Sequence, residues 1–266
     1  MDNYHNIPAL SSSGINKWWN ESPYHYWKES PFNPNRLPHT TTEAMAFGSL
    51  CHALAFEPQN LDKLIAIAPD CDRRSNANKE LHAQFEASLN GKTAVTVKQM
   101  ERAKIMVAEL RKHPVTSSLL KDCTVEEPFF WNDGLPRKVK VDAFKEGIML
   151  DYKTGANIGW ADIGKYICKM GYYRQDAFYR EGFKQKHGAY PDGFVFIFQD
   201  SDFPDVIATV TVDDAAIDVG LAECEEAAAD IKQRLESGDW LPPTKITDVG
   251  LPHWKIKQHQ FKEQNI

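Results

Sequence analysis

The segment from Lys138 to Lys153 (KVKVDAFKEGIMLDYK) holds the residue types and spacing best suited to chemistry. Two alternating, β-like runs meet at Glu146-Gly147, and each carries one aspartate, Asp142 and Asp151. Side chains alternate faces along a strand, so Asp151 and Lys153 share a face while Tyr152 takes the other. Paired as a hairpin, the two runs bring both carboxylates and the ammonium together. Two carboxylates beside a lysine suit a divalent cation that activates water against a phosphodiester. Asp151 also ends the apolar run Ile148-Met149-Leu150, where a carboxylate without a cation or donors is costly. Asp142 and Asp151 are then expected as metal ligands. Lys153 would orient the attacking water or steady the charge on the phosphate. The plain structural alternative is a surface Asp-x-Lys ion pair, which contributes little to stability.

Other residues can complete such a site. Glu126 and Glu127 precede the hairpin; either can add a third carboxylate, with Glu126 preferred, and a solvated strand edge is the bland reading of both. His52 lies in an apolar helical pattern, where a histidine is more often a satisfied core residue. It becomes a ligand only if that helix packs beside the hairpin, and manganese accepts such a nitrogen better than magnesium does. Gln175 and Tyr179 are four apart and share a helix face; the functional reading points both at the hairpin, one positioning a ligand or nucleotide and one contacting a phosphate. Arg73, Arg74 and Lys79 can hold DNA phosphates, or simply decorate a polar loop.

The elements needed to position these groups are legible. Ser11 caps a short helix rich in tryptophan, and Pro31, Pro34 and Pro38 then predict an extended connection. Thr40-Thr41-Thr42 opens a helix to Phe56, and Thr96 opens another to Lys112, ended by Pro114. Leu64 to Ala68 reads as an edge strand, and residues 72–79 as a loop entering a helix that ends near Asn90-Gly91. Strands are expected around Val125 to Trp131, Val139 to Phe144 and Ile148 to Tyr152, with Asn132-Asp133-Gly134 as a turn. Helices over 158–170 and 172–187 follow, then strands over 193–198 and 206–212, and an alanine-rich helix from Asp213 or Asp214 to about Ser237. This is one α/β domain over residues 1–266, with N-terminal helical decoration and a polar, frayed tail after about residue 255.

Composition excludes some classes and leaves others open. With 42% hydrophobic and 26% charged residues the chain reads as globular, and 266 residues suffice for a substantial core. It has no apolar run of membrane-spanning length and no signal-peptide pattern, so a cytoplasmic protein is expected. Its five cysteines are scattered, without a Cys-x-x-Cys, which argues against a disulfide framework, a zinc ribbon or an iron–sulfur cluster. A net charge of −6 neither advertises nor excludes nucleic-acid binding, because bound metal ions offset acidic ligands.

The motifs occur in a telling order: Phe47-Gly48-Ser49-Leu50-Cys51-His52, a Glu before Phe129-Phe130-Trp131, Val141-Asp142, Leu150-Asp151-Tyr152-Lys153-Thr154 and Gln175-Asp176-Ala177-Phe178-Tyr179. That order resembles the PD-(D/E)xK nucleases, and within them the exonuclease VIII (RecE-type) nuclease domain. Further likenesses are Ala68-Pro69, the run from Arg73 to Glu80, Gly91-Lys92-Thr93 and Leu251-Pro252-His253-Trp254. The likeness runs from about Ser12 to Trp254.

It implies a restriction-endonuclease-like core with a central mixed sheet flanked by helices. It also implies His52, Asp142 and Asp151 as metal ligands for one or two Mg²⁺ or Mn²⁺ ions, with Glu126 supporting and Lys153 catalytic. The implied activity is 5′-to-3′ digestion of one strand from double-stranded DNA ends, leaving 3′ overhangs for a single-strand annealing partner in recombination and repair. A ring-shaped tetramer is implied as well. Val141 stands where the family has proline, which alters backbone rigidity but no ligand. A long N-terminal extension is missing, so the nuclease core alone, of phage or prophage origin, is expected. The alternatives are another nuclease on this scaffold (an endonuclease or a helicase-linked repair nuclease) and a catalytically silent DNA-binding module.

Overall fold

A computed structural model of the chain describes residues 4–38, 40–156, 158, 160–242 and 250; Leu251-Pro252-His253-Trp254 and the tail beyond lie outside them. Helix α1 (Ser12–Asn20) begins where the Ser11 hydroxyl accepts from the Gly14 amide. A second helix follows at once, α2 (Pro23–Glu29), capped by Ser22. Pro23 occupies its first turn, where a missing N–H breaks no helical bond, so the extended connection begins only after this helix. Next comes α3 (Glu43–Phe56), capped by Thr42, then α4 (Leu61–Leu64), β1 (Ile65–Ile67), α5 (Asn76–Ala87) and β2 (Thr93–Val95). Strands β1 and β2 pair with each other in parallel and stand apart from the main sheet. Helix α6 (Val97–Lys112) starts on a reciprocal Thr96–Gln99 cap. Pro114 both follows it and opens the short α7 (Pro114–Leu119).

The main sheet uses β3 (Thr124–Asn132), β4 (Pro136–Lys145) and β5 (Ile148–Gly155) as an antiparallel meander. Two helices, α8 (Ile163–Met170) and α9 (Tyr172–His187), then lead to β6 (Gly193–Asp200), which pairs parallel with β5. A 3₁₀ turn over Trp160–Asp162 replaces the start of the helix expected from Ile158. Strand β7 (Ile207–Val210) closes the sheet antiparallel to β6, and α10 (Asp214–Ser237) follows from an Asp213 cap. The order is β3-β4-β5-β6-β7, the expected mixed sheet flanked by helices.

Each face of the sheet has its own core. One packs Phe129, Val139, Val141 and Phe194 against Phe178 and Phe183 of α9, with Ile231 of α10 and Ile15 of α1 beyond. The other packs Leu150, Tyr152 and Ile197 against Leu50 and Phe56 of α3 and Met106 of α6. No helix among the described residues is long and apolar enough to cross a membrane.

Two irregularities in the sheet make room for chemistry. The β4–β5 turn is Glu146-Gly147, with φ of 48° and 82°, the two left-handed residues of a tight hairpin. From it the strands pair over only three rungs, Ala143–Leu150 being the last. Asp142 and Asp151 stand at the next rung, where the strands part, and β5 runs on beside β6. The second irregularity is at Glu126 on β3, where φ is 54° and the pairing with β4 skips one step opposite Asp142. Side-chain alternation reverses there. Val141 faces the α9 core, while Ala143, two residues later, faces the α3 core.

Candidate active site

Asp142 sits in the fork between β4 and β5. Its Oδ2 accepts from the Tyr152 amide at 2.8 Å, so a side chain takes the bond the next ladder rung would have made. His52 reaches the same point from α3. Its Nε2 lies 2.6 Å from the Tyr152 carbonyl, an acceptor only, so Nε2 carries the proton. That leaves Nδ1, 3.5 Å from Asp142 Oδ2, with its lone pair toward the cluster, the arrangement a metal-ligating histidine uses. The condition set by the sequence, that this helix pack beside the hairpin, is met.

Glu126 completes the group from β3. Ligand atoms of His52, Glu126 and Asp142 all lie within 4.8 Å of one another. The left-handed backbone at Glu126 carries its carboxylate into the fork, whereas Glu127 turns away to pair with Lys186 of α9. Between the two glutamates the structure therefore places Glu126 in the cluster. Lys140, two residues before Asp142, pairs with Glu126.

Asp151 approaches from the opposite side of β5, facing α9. Gln175 donates to its Oδ2 at 2.6 Å, and Lys153 Nζ lies 2.5 Å from its Oδ1. The expected shared face of Asp151 and Lys153 is present. Asp151 is 2% exposed and lies outside the His52–Glu126–Asp142 group, yet near enough for its charge to act on Asp142. Tyr179, one helical turn past Gln175, donates to the Lys140 carbonyl at 3.2 Å. Both members of that pair do point at the strands. Burial, followed by the charge of Asp151, holds the Tyr179 phenol well above its ordinary value, so it remains a neutral donor.

The electrostatics are those of an anion-rich pocket. Burial is the largest influence on Asp142 and pushes its carboxyl up to about 6; Asp151 adds to this, while His52, Lys153 and the Tyr152 amide oppose it. Asp151 Oδ1 is buried and accepts no well-aligned hydrogen bond among the described residues, leaving only the Lys153 ammonium beside it. A divalent cation fits this donor set. One imidazole nitrogen and two carboxylates converge, a third carboxylate stands across the fork, and a lysine is available for the substrate.

Arg73, Arg74 and Lys79 lie elsewhere. Arg73 pairs with Glu86 at 2.7 Å on the exposed face of α5, Arg74 has a side chain 92% exposed, and Lys79 is exposed in the first turns of that helix. None of them belongs to the cluster. Residues that sequence reasoning passed over are Lys140, Tyr172, whose ring lies 5.2 Å from Lys153 Nζ, and Tyr4. For Lys140 a signal existed, since it alternates with Asp142 along β4. For Tyr4 there was none, because its position depends on a long-range docking.

A family model described as a PDDEXK-like domain of unknown function (DUF3799) matches residues 11–243. A crystal structure of a "putative exonuclease" from Eubacterium rectale superposes with a TM-score of 0.66 at 15% identity, covering 96% of each chain. At that identity it shows a shared fold. A second structure, SSO0001, at 14% identity and a TM-score of 0.30 over 80% of this chain and 91% of its own, carries no weight. No curated protein matches the sequence.

Proposed function

The chain belongs to the DUF3799 family of PDDEXK-like domains, and from that premise we propose that it is a metal-dependent DNA exonuclease. The observation that carries the reading is the fork itself. His52, Glu126 and Asp142 converge on one side, with the Asp151–Lys153 pair on the other. Neutral contacts alone would not justify gathering three carboxylates at a broken sheet edge.

A divalent ion held by His52 Nδ1, Glu126 and Asp142, with Asp151 as a further ligand, would supply Lewis acidity and an activated water. The protein's own groups do the rest. Lys153 brings a fixed positive charge to the phosphate oxygens, on which negative charge grows as water adds to phosphorus. Gln175 locks the Asp151 carboxylate in one orientation by its amide. The His52 imidazole is held by its bond to the Tyr152 carbonyl, so its free nitrogen needs no reorientation. Tyr179 ties α9 to the Lys140 carbonyl of β4. Mn²⁺ suits the imidazole better than Mg²⁺ does, and either is compatible with the oxygen ligands.

Finer parts of the proposal rest on the resemblance to RecE-type exonucleases. They are double-stranded DNA ends as substrate, 5′-to-3′ polarity, 3′ overhangs handed to a single-strand annealing protein, a ring-shaped homo-oligomer and a cytoplasmic location. Arg73, Arg74 and Lys79 belong to this proposal as DNA-backbone contacts; their exposure supports it. The test is digestion of linear duplex labelled at either the 5′ or the 3′ end, with Mn²⁺ or with EDTA, beside a covalently closed circle. Metal-dependent release of the 5′ label first, with the circle intact, is expected. Cutting of the circle would identify an endonuclease, and no release from either end with the circle also intact would reject the nuclease reading.

A further inference from the structure

Helix α9 meets the strands of the fork along one face. Tyr172, Gln175 and Tyr179 stand at positions i, i+3 and i+7, which share a side of a helix. Gln175 donates to Asp151 at 2.6 Å, and Tyr179 donates to the Lys140 carbonyl at 3.2 Å. Tyr172 opens the helix, and its ring lies 5.2 Å from Lys153 Nζ. In order, the three side chains reach the lysine, the Asp151 carboxylate and the strand that carries Asp142.

Local structure fixes where the Tyr172 ring stands. Gly171 separates α8 from α9 in the left-handed region, with φ of 69°, and a Cβ there would strike the Asn16 and Arg174 side chains. The glycine lets Tyr172 begin a new helix beside the site. Its ring then packs against Phe196 and Phe198 of β6, with centroids 5.5 and 5.6 Å away, and against Tyr166 of α8 at 6.0 Å. Phe198 is also the residue opposite Lys153 in the β5–β6 register. A ring held by three aromatic neighbours has little freedom to leave the ammonium.

Lys153 needs such a partner. Its four-carbon stem gives the ammonium many positions, and 23% of the side chain is exposed. Its other neighbour, Asp151 Oδ1, is 2.5 Å away, yet the contact is not aligned as a hydrogen bond. A carboxylate also cancels the charge that a phosphate would use. An aromatic face attracts a cation without neutralising it.

We infer that Tyr172 is a positioning residue for Lys153, its ring face holding the ammonium where a substrate phosphate meets it. The inference rests on the nuclease reading and deepens it. The place of the lysine is set by two elements, β5 and the first turn of α9.

The test varies the charge on the ring face and keeps the shape of the ring. Phenylalanine carrying no, one, two or three ring fluorines is placed at position 172, each fluorine drawing charge away from the face. With saturating linear duplex and Mn²⁺ under single-turnover conditions, Tyr172→Phe should restore a rate close to the parent's. The rate should then fall stepwise with fluorine number, about three- to thirtyfold over the series. The duplex concentration at half-maximal rate should move less than about twofold, because the lysine acts on charge that grows in the transition state. The thermal midpoint and the Mn²⁺ affinity by calorimetry should stay level across the series. A rate independent of fluorine number would overturn the inference. So would a Tyr172→Phe variant as slow as the trifluoro form, which would assign the effect to the hydroxyl. A rate that falls in step with the midpoint would make the ring structural and overturn it too. A parent that cuts neither linear duplex nor circle would reject the nuclease reading, and this inference with it; a cleaving parent with a level series rejects this inference alone.

Discussion

Two of the polar clusters among the described residues are built on opposite principles. The first ties α1 to α9 and α10. Arg174, 5% exposed, donates to Asn16 at 2.8 Å, to the Tyr173 hydroxyl and Glu223 at 2.7 Å each, and to Asn20 at 3.1 Å. Tyr173 also donates to Glu223, and the Trp19 indole to the Glu223 carbonyl. One cation faces one anion, and every arm of the guanidinium is engaged. The second cluster is the fork, where Glu126, Asp142 and Asp151 face two lysines and an imidazole. One oxygen of Asp151 is left without a proper donor, and Asp142 is pushed up by burial. A balanced network holds helices in place. An unbalanced one is expected where a ligand supplies the missing charge.

The contrast is broken most severely by changes at the fork. Asp142→Asn should lower nuclease activity by about a thousandfold or more, through loss of a ligand charge. In metal-free buffer near pH 8 it should leave the thermal midpoint equal or higher, because a buried anion is removed while the amide oxygen still accepts from Tyr152. A large fall in the metal-free midpoint would mean the carboxylate is structural.

Gln175→Leu tests the next layer. It frees Asp151 to turn, and activity should fall about ten- to a hundredfold, as for outer partners of metal ligands. Steady-state cleavage of a labelled duplex reads this directly; an unchanged rate would remove Gln175 from the site.

The balanced network should behave in the opposite way. Arg174→Met leaves the half-buried Glu223 without its cation and the Asn16 and Asn20 oxygens without their donor, and unfolding free energy should fall by about 1–3 kcal/mol in a denaturant titration. Mn²⁺ binding by the folded variant should be retained. If Arg174→Met instead abolished metal binding at full stability, the two clusters would not be separable.

The smallest effect is in pH dependence. Asp142 titrates at 3.8 unfolded and is raised to about 6 in the fold. Its contribution to metal-free stability is therefore complete below about pH 4 and lost as pH rises through 6. Metal binding needs the deprotonated carboxylate, so the rise in thermal midpoint on adding Mn²⁺ should grow between pH 5 and 7. A shift independent of pH across that window would contradict a proton-linked site at Asp142.

How much of this the sequence disclosed follows from whether the signal was local. The caps Ser11, Thr42, Thr96 and Asp213, and the Glu146-Gly147 turn, are read from a few neighbouring residues and are where they were expected. Asp142, Asp151 and Lys153 were legible because strand alternation plus a two-residue turn sets their mutual position. His52 could be nominated but not placed, since a histidine on an apolar helix depends on which face packs against the sheet. The choice between Glu126 and Glu127 was undecidable, because regular alternation would have put them on opposite faces and only a left-handed residue settles which one turns inward. Helix α2 was passed over, since prolines announce turns as readily as first helical positions. The seat of the N-terminal segment was invisible, because Lys138 reaches back more than a hundred residues to the Tyr4 and Ile7 carbonyls.

A fork short of positive charge should take up a divalent ion. Calorimetric titration of the folded protein with Mn²⁺ near pH 7.5, beside Asp142→Asn, measures this most directly. Saturable binding by the parent with release of protons is expected, with affinity at least about tenfold weaker in the variant. Equal binding by both, or none by the parent, would contradict it.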